Sequence, residues 1–168
     1  MTPAPSPLIS IISPVYCCAG CLRELCTRVA TTLAPVTENY EILLVDDASP
    51  DDAWMILQEL CARDSRIKAL KLSRNFGQHH AIAAGLGSAR GDWVVVMDCD
   101  LQDRPEEIAG LLDKARSGNF DAVCGKRVLR KDGWGKRLTS RAFFAVLNYL
   151  TGAQHDSETA NFGVFSRA

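Results

Sequence analysis

Three carboxylates, Asp98, Asp100 and Asp103, follow directly on the apolar run Trp93-Val94-Val95-Val96-Met97. Such a run suits the middle of a sheet. Like charges gathered at its end cost free energy unless a cation or a set of donors neutralises them. If the extended backbone persists past Met97, side chains alternate, so Asp98 and Asp100 share one face and Cys99 takes the other. Two hard oxygen donors, with the Gln102 carbonyl and Asp103 beside them, suit a Mg²⁺ or Mn²⁺ ion that keeps positions open for water and substrate phosphates. Asp103 by itself reads at least as well as a turn or N-cap residue of the next helix.

The theme repeats in VDDASPDD, residues 45–52. Asp51 or Asp52 is expected to cap the next helix and Ser49-Pro50 to turn the chain. That leaves Asp46 and Asp47 at a strand end, where an acid accepts hydrogen bonds from a ribose hydroxyl or a base N–H. Opposite in charge is GKRVLRKDGWGKRLTSR, residues 125–141, with seven Lys or Arg against one Asp. Arg127, placed directly after a strand, offers a guanidinium for bidentate binding of phosphate oxygens. Arg130, Lys131 and Lys136 read as a solvated face. Trp134, Phe143 and Phe144 suit core packing, or a rest on a membrane surface.

The elements that must position these groups alternate along the chain. Strands are expected at 8–13, 41–45, 67–72, 93–97 and 121–125. Between them, Leu22, Leu25, Cys26, Val29 and Leu33 recur at helical spacing, as do Trp54, Leu57, Leu60 and Cys61. Ile108, Leu111, Leu112 and Ala115 do the same in a helix opened by Pro105-Glu106-Glu107 and stopped at Gly118. An Ala-rich helix is expected at 78–89 and a last one at about 136–151. Repeated βα alternation predicts an α/β three-layer sandwich with a mostly parallel sheet, forming one domain over residues 1–168 with a flexible start at 1–7. Ligands in such sheets bind beyond the carboxyl ends of the strands. The residues there are Pro14 and Tyr16, then Asp46 and Asp47, then Asp98, Asp100 and Gln102, then Lys126 and Arg127.

Composition bounds the function. A chain of 168 residues, 47% hydrophobic and 23% charged, is expected to fold around one core. A formal net charge of −1 argues against general nucleic-acid binding. The first residues, MTPAPSPL, lack the pattern of a signal peptide, and no stretch holds the 18 or more apolar residues of a membrane helix, which predicts a soluble, cytoplasmic domain. Seven cysteines, an odd number, are expected to be reduced, with Cys26, Cys61 and Cys124 inside elements and no disulfides. A second class of reading uses Cys18-Ala19-Gly20-Cys21 as a redox C-x-x-C at a strand-to-helix junction, although this leaves the acids at the other strand ends unexplained. Gly85-x-Gly87 falls within a helical pattern and reads as close packing rather than a dinucleotide signature.

The ordered set PVY, VDDASPDD, LSRNFGQ, MDCDLQDRPEE and GKR resembles the family-two glycosyltransferases of GT-A fold, in particular the branch of dolichol-phosphate mannose synthases and bacterial polyprenyl-phosphate glycosyltransferases. The resemblance spans essentially the whole chain. It implies that Pro14, Tyr16, Val45 and Asp47 hold the nucleoside, and that Asp98, Cys99, Asp100 and Gln102 hold the diphosphate and its Mg²⁺ or Mn²⁺. It places Arg127 on the phosphates and Arg167 at the acceptor phosphate. The implied reaction moves a sugar from a UDP- or GDP-sugar to a polyprenyl phosphate with inversion, at the cytosolic face of a membrane. Transfer to a saccharide hydroxyl is the alternative within the class, and an inactive sugar-nucleotide-binding protein the alternative outside it. Cys18 stands where the family commonly has Glu, and Asn161 where some members have Asp. The resemblance also implies that family members continue beyond Ala168 into an acceptor and membrane segment, so the chain is expected to be a piece of a longer protein.

Overall fold

The computed structural model describes residues 9–126 and 159–167. The last expected helix and most of the basic stretch, including Arg127, lie outside them.

Strands β1 (Ile9–Val15) and β2 (Tyr40–Asp46) are buried along their whole length. That suits strands covered on both faces and explains their near-continuous apolar runs. With β3 (Ile67–Lys71), β4 (Trp93–Val96), β5 (Ala122–Lys126) and β6 (Thr159–Ser166) they form one sheet in the order β3-β2-β1-β4-β6-β5. The first four strands are parallel, and β6 runs antiparallel to both β4 and β5. The periodic patterns locate five strands but not β6. TANFGVFS is not among the expected strands, and its antiparallel pairing with β4 and β5 is what makes it one.

Helices α1 (Leu22–Leu33), α2 (Ala53–Arg63) and α4 (Ile108–Gly118) cover one face of the sheet. On α1 the buried residues are Leu22, Leu25, Cys26, Val29 and Leu33, the set the 3.6-residue period singles out. Each such side chain taken fully out of water contributes about 1.5–3 kcal/mol. Among the described residues helix α3 (Gln78–Ser88) is the one on the other face, over Ile12, Leu43, Val94 and Val96. Its close approach requires Gly85, where a Cβ would come within 2.5 Å of Ile12 Cγ2. The loop after α3 is closer still, since a Cβ on Gly91 would meet the Ser10 backbone nitrogen at 2.6 Å.

A buried polar network fixes that loop to the sheet. Ser10 Oγ donates to Glu41 Oε1 at 2.7 Å, the Arg90 N–H donates to the same oxygen at 2.7 Å, and Lys68 Nζ reaches Glu41 Oε2 at 2.6 Å. Burial disfavours the Glu41 carboxylate, but these donors outweigh it and hold its pKa below the usual glutamate value.

Candidate active site at the switch point of the sheet

From β1 the chain moves outward to β2 and β3, whereas on the other side of β1 the order runs through β4 to β6 and β5. The carboxyl ends of β1 and β4 therefore diverge into a crevice. A cavity of about 470 Å³ opens there, within the usual range for a small-molecule site. It brings together Pro14, Tyr16, Asp47, Asp98, Cys99 and Asp100 from three separate strand ends. Tyr16 is half-exposed, presenting a ring at the mouth.

The acid pair reaches the cavity by a route the strand pattern does not foresee. Strand β4 ends at Val96, and the chain turns through Asp98, Cys99 and Asp100 to Leu101, whose φ is 63°. Two-residue alternation no longer applies on such a turn, so Cys99 lines the same cavity as the acids instead of facing away. The turn is closed by the Asp98 N–H donating to Asp103 Oδ2 at 3.0 Å and the Gln102 N–H to Asp100 Oδ1 at 3.0 Å. Asp103 is buried and its role in the turn is structural, as the alternative reading has it. Gln102 stands exposed outside the cavity lining, so its side chain does not join the pair.

Asp47 is buried, and both its oxygens are engaged. The Phe76 N–H donates to Oδ1 and the Gly77 N–H to Oδ2, each at 2.8 Å. Asp47 thus holds the loop after β3 against the cavity. Its neighbour Asp46 accepts from the Ser49 N–H at 2.8 Å and closes the turn after β2. Asp51 ties that turn to the β1 loop, accepting from the Ala19 N–H at 2.9 Å and from the Ala53 N–H at the start of α2 at 3.2 Å. The Cys17 N–H donates to Ser49 Oγ at 2.7 Å.

Two expected binding residues lie elsewhere. Val45 is fully buried, with its side chain turned toward α3 and Gly85. Arg167 sits at the opposite end of the sheet, because antiparallel β6 carries it to the start of β4. Its N–H donates to the Asp92 carbonyl at 2.8 Å and its Nη1 to the Ala89 carbonyl at 2.6 Å. The length of β4, about 13 Å for four residues, separates it from the acids. Arg127 falls outside the described residues.

The reading from sequence overlooked Asn75, Gly77 and Gln78, which complete the cavity wall. Gln78 Nε2 donates to Asp98 Oδ1. The available signal was RNFGQ itself, a polar loop at the carboxyl end of the third strand, the same rim as the other site segments. Gly77 there has φ 94° and ψ 156°, a region essentially reserved for glycine.

The cysteines differ from expectation as well. Cys18 and Cys99 form a disulfide, with their Cα atoms 6.6 Å apart. They are 81 positions apart in sequence, and only the adjacency of β1 and β4 brings them together. Cys21, the expected C-x-x-C partner, is a free thiol. Cys26 is a buried thiol pushed up to about 12, chiefly by burial. Cys124 is exposed rather than enclosed.

Among the described residues no group of three or more His, Cys, Asp or Glu is placed to hold a metal by itself. Asp98 and Asp100 nonetheless fit Mg²⁺ or Mn²⁺ in the manner typical of such ions, which take one or two carboxylates and complete their shells with water and substrate phosphates. Among the described residues no helix is long and apolar enough to cross a membrane.

A mostly parallel α/β sandwich with a switch-point cavity bearing an Asp-x-Asp turn is the GT-A fold. The chain belongs to glycosyl transferase family 2, whose model matches residues 10–167. It is 40% identical over 158 residues to an undecaprenyl-phosphate 4-deoxy-4-formamido-L-arabinose transferase of Pseudomonas aeruginosa, covering 93% of this chain and 46% of that protein. The chain thus spans about half the length of the curated relatives it matches. Among solved structures it resembles the mannosyltransferase PcManGT of Pyrobaculum calidifontis in complex with GDP-Man and Mn²⁺, with TM-score 0.65, 20% identity, and coverage of 98% of this chain and 46% of that one. It also resembles glucosyl-3-phosphoglycerate synthase of Mycobacterium tuberculosis with Mn²⁺, UDP and phosphoglyceric acid, with TM-score 0.68, 17% identity, and coverage of 96% and 56%. At those identities the likeness concerns the fold.

Proposed function

We propose that this domain binds a UDP- or GDP-sugar in the switch-point cavity and transfers the sugar, with inversion, to a polyprenyl phosphate at the cytosolic face of a membrane. The observation that carries the reading is the presence of Asp98 and Asp100 at one end of a cavity whose other walls are Tyr16 and the loop held by Asp47. The undecaprenyl-phosphate transferase at 40% identity supports the choice of acceptor.

In this reading Tyr16 and Pro14 flank the nucleoside, and Asp98 and Asp100 face the diphosphate. A divalent cation held by those two acids, when bound, supplies neutralisation of the negative charge that develops on the departing diphosphate. Gln78 orients Asp98 by donating to its Oδ1, so that the carboxylate is positioned before the donor arrives. The acceptor phosphate oxygen bonds to the anomeric carbon as the bond to the diphosphate breaks, and the nucleoside diphosphate leaves. A phosphate monoester is largely ionised at neutral pH, its second pKa being about 6, so no side chain has to remove a proton. Arg127 is assigned to the phosphates by its position after β5.

Titration calorimetry with UDP and with GDP, each with and without Mn²⁺, tests the reading. Binding of one nucleotide that strengthens with Mn²⁺ and is lost in Asp100→Ala is expected. Binding of neither nucleotide in the presence of metal would overturn the proposal.

A further inference from the structure

The Cys18–Cys99 disulfide joins the loops after β1 and β4, both of which line the cavity. Cys18 follows β1 in the segment that presents Tyr16, and Cys99 lies between Asp98 and Asp100 on the turn after β4. Both sulfur-bearing residues line the cavity itself. No other covalent tie crosses the switch point among the described residues. Hydrogen bonds within the β4 turn include Asp98–Asp103, Gln102–Asp100 and Gln78–Asp98, and those of the β1 loop include Cys17–Ser49 and Ala19–Asp51. None of these five bonds links one loop directly to the other.

A domain working on the cytosolic face sits in a thiol-reducing pool, where a persistent disulfide is unusual and a transient one commonly senses redox state. Cys18 is half-buried at the cavity wall, and exposed Cys17 and half-buried Cys21 flank it as free thiols. Cys99 is buried in the core cluster that also holds Cys26, so the bond spans from the core to the cavity wall and is reached from the cavity side through Cys18.

We propose that Cys18 and Cys99 are a reversible redox clamp on the donor cavity. Oxidised, the pair fixes the spacing between Tyr16 and the Asp98–Asp100 turn. Reduced, it frees the turn and weakens nucleoside diphosphate binding. Oxidation is thiol–disulfide exchange with a small disulfide such as glutathione disulfide: the two cysteine thiols lose two electrons and two protons, one S–S bond forms, and the oxidant becomes two thiols. A dithiol reductant reverses the step and itself ends as a disulfide. The effect on binding rests on the donor reading of the cavity and the expected reversibility on the cytosolic placement proposed above, whereas the disulfide that ties the two loops rests on neither.

The test equilibrates the chain in glutathione buffers of graded ratio, quenches it in acid, and counts free thiols by alkylation in denaturant, where buried Cys26 also reacts, followed by mass spectrometry. Five of the seven cysteines are expected to react under oxidising conditions and all seven after reduction, with Cys18 and Cys99 the pair that changes. Hydrogen exchange of the amides at 97–104 is expected to quicken on reduction. Calorimetry with UDP and GDP in Mn²⁺ is expected to show about threefold to tenfold weaker binding, the scale of a lost preorganising constraint. The double variant C18S/C99S should match the reduced protein and ignore glutathione, whereas C61S should retain the full response. Seven reactive thiols at every ratio, or exchange at 97–104 that is the same in both states, would overturn the clamp. Nucleotide binding that is equal or tighter after reduction would overturn its proposed action. Absence of nucleotide binding in both states, with exchange still redox-dependent, would sink the donor reading and leave the clamp standing.

Discussion

Gly77 and Asp47 lie 30 positions apart, and the Gly77 N–H donates to Asp47 Oδ2 at 2.8 Å while the Phe76 N–H takes the other oxygen. One carboxylate at the end of β2 therefore shapes the loop that delivers Gln78 to Asp98. Asp47→Ala leaves two loop N–H groups without their acceptor. It is expected to cost about 1–3 kcal/mol in urea unfolding and to weaken Mn²⁺-dependent nucleotide binding. Asp47→Asn, which keeps one acceptor oxygen, is expected to fall between. Unchanged stability in Asp47→Ala would show that the loop holds itself.

At Gly77 the constraint is conformational, since a Cβ there would meet nothing within 4 Å while the backbone sits at φ 94°. Gly77→Ala is expected to cost about 1–3 kcal/mol through strain alone. Gly91→Ala differs in mechanism, because its Cβ would meet the backbone nitrogen of Ser10 and the backbone carbonyl carbon of Ile9, which cannot rotate away. It should be the more damaging of the two, and thermal melting of both variants ranks them.

Gln78 acts on Asp98 as a hydrogen-bond donor. Gln78→Ala is expected to weaken Mn²⁺-dependent UDP or GDP binding by several-fold with little change in melting temperature, because Gln78 is exposed. Gln78→Glu removes the donor and brings a like charge to Asp98, so it should be the weaker binder unless metal is in excess. Equal affinities for both variants and the parent would remove the positioning role.

The buried Glu41 predicts an acid limb. Its folded-state pKa lies below its unfolded value, so its contribution is complete above the ordinary glutamate pKa of about 4.3 and is lost as pH falls through the lower folded-state value. Urea midpoints measured from about pH 7 to pH 3 should fall in that acid window. Glu41→Gln is expected to be less stable by roughly 1–3 kcal/mol at neutral pH, since it leaves the Lys68 ammonium without its charged partner. It should also show a shallower decline. A parallel decline in both proteins would assign the limb to other carboxylates.

Much of this architecture was legible in the sequence, because hydrophobic periodicity reports which face of an element is buried. The α1 stripe from Leu22 to Leu33, the unbroken apolar runs of β1 and β2, and the close packing at Gly85 all follow from local pattern. So does the gathering of Pro14, Tyr16, Asp47, Asp98 and Asp100 on one rim, since parallel strands of a βα chain end on the same side.

The tertiary structure decided what depends on which strands become neighbours and where extended backbone stops. Antiparallel β6 carries Arg167 away from the cavity. The end of β4 at Val96 swings Cys99 into the cavity, and the pairing of β1 with β4 sets Cys99 beside Cys18. Asp47, read alone, is an acid free to meet a nucleoside; only the fold shows both its oxygens already bonded to a loop some 30 residues away. Local sequence sets side-chain periodicity and the chemistry on offer, but contacts between distant segments are chosen by the packing of the whole sheet, which no short stretch encodes.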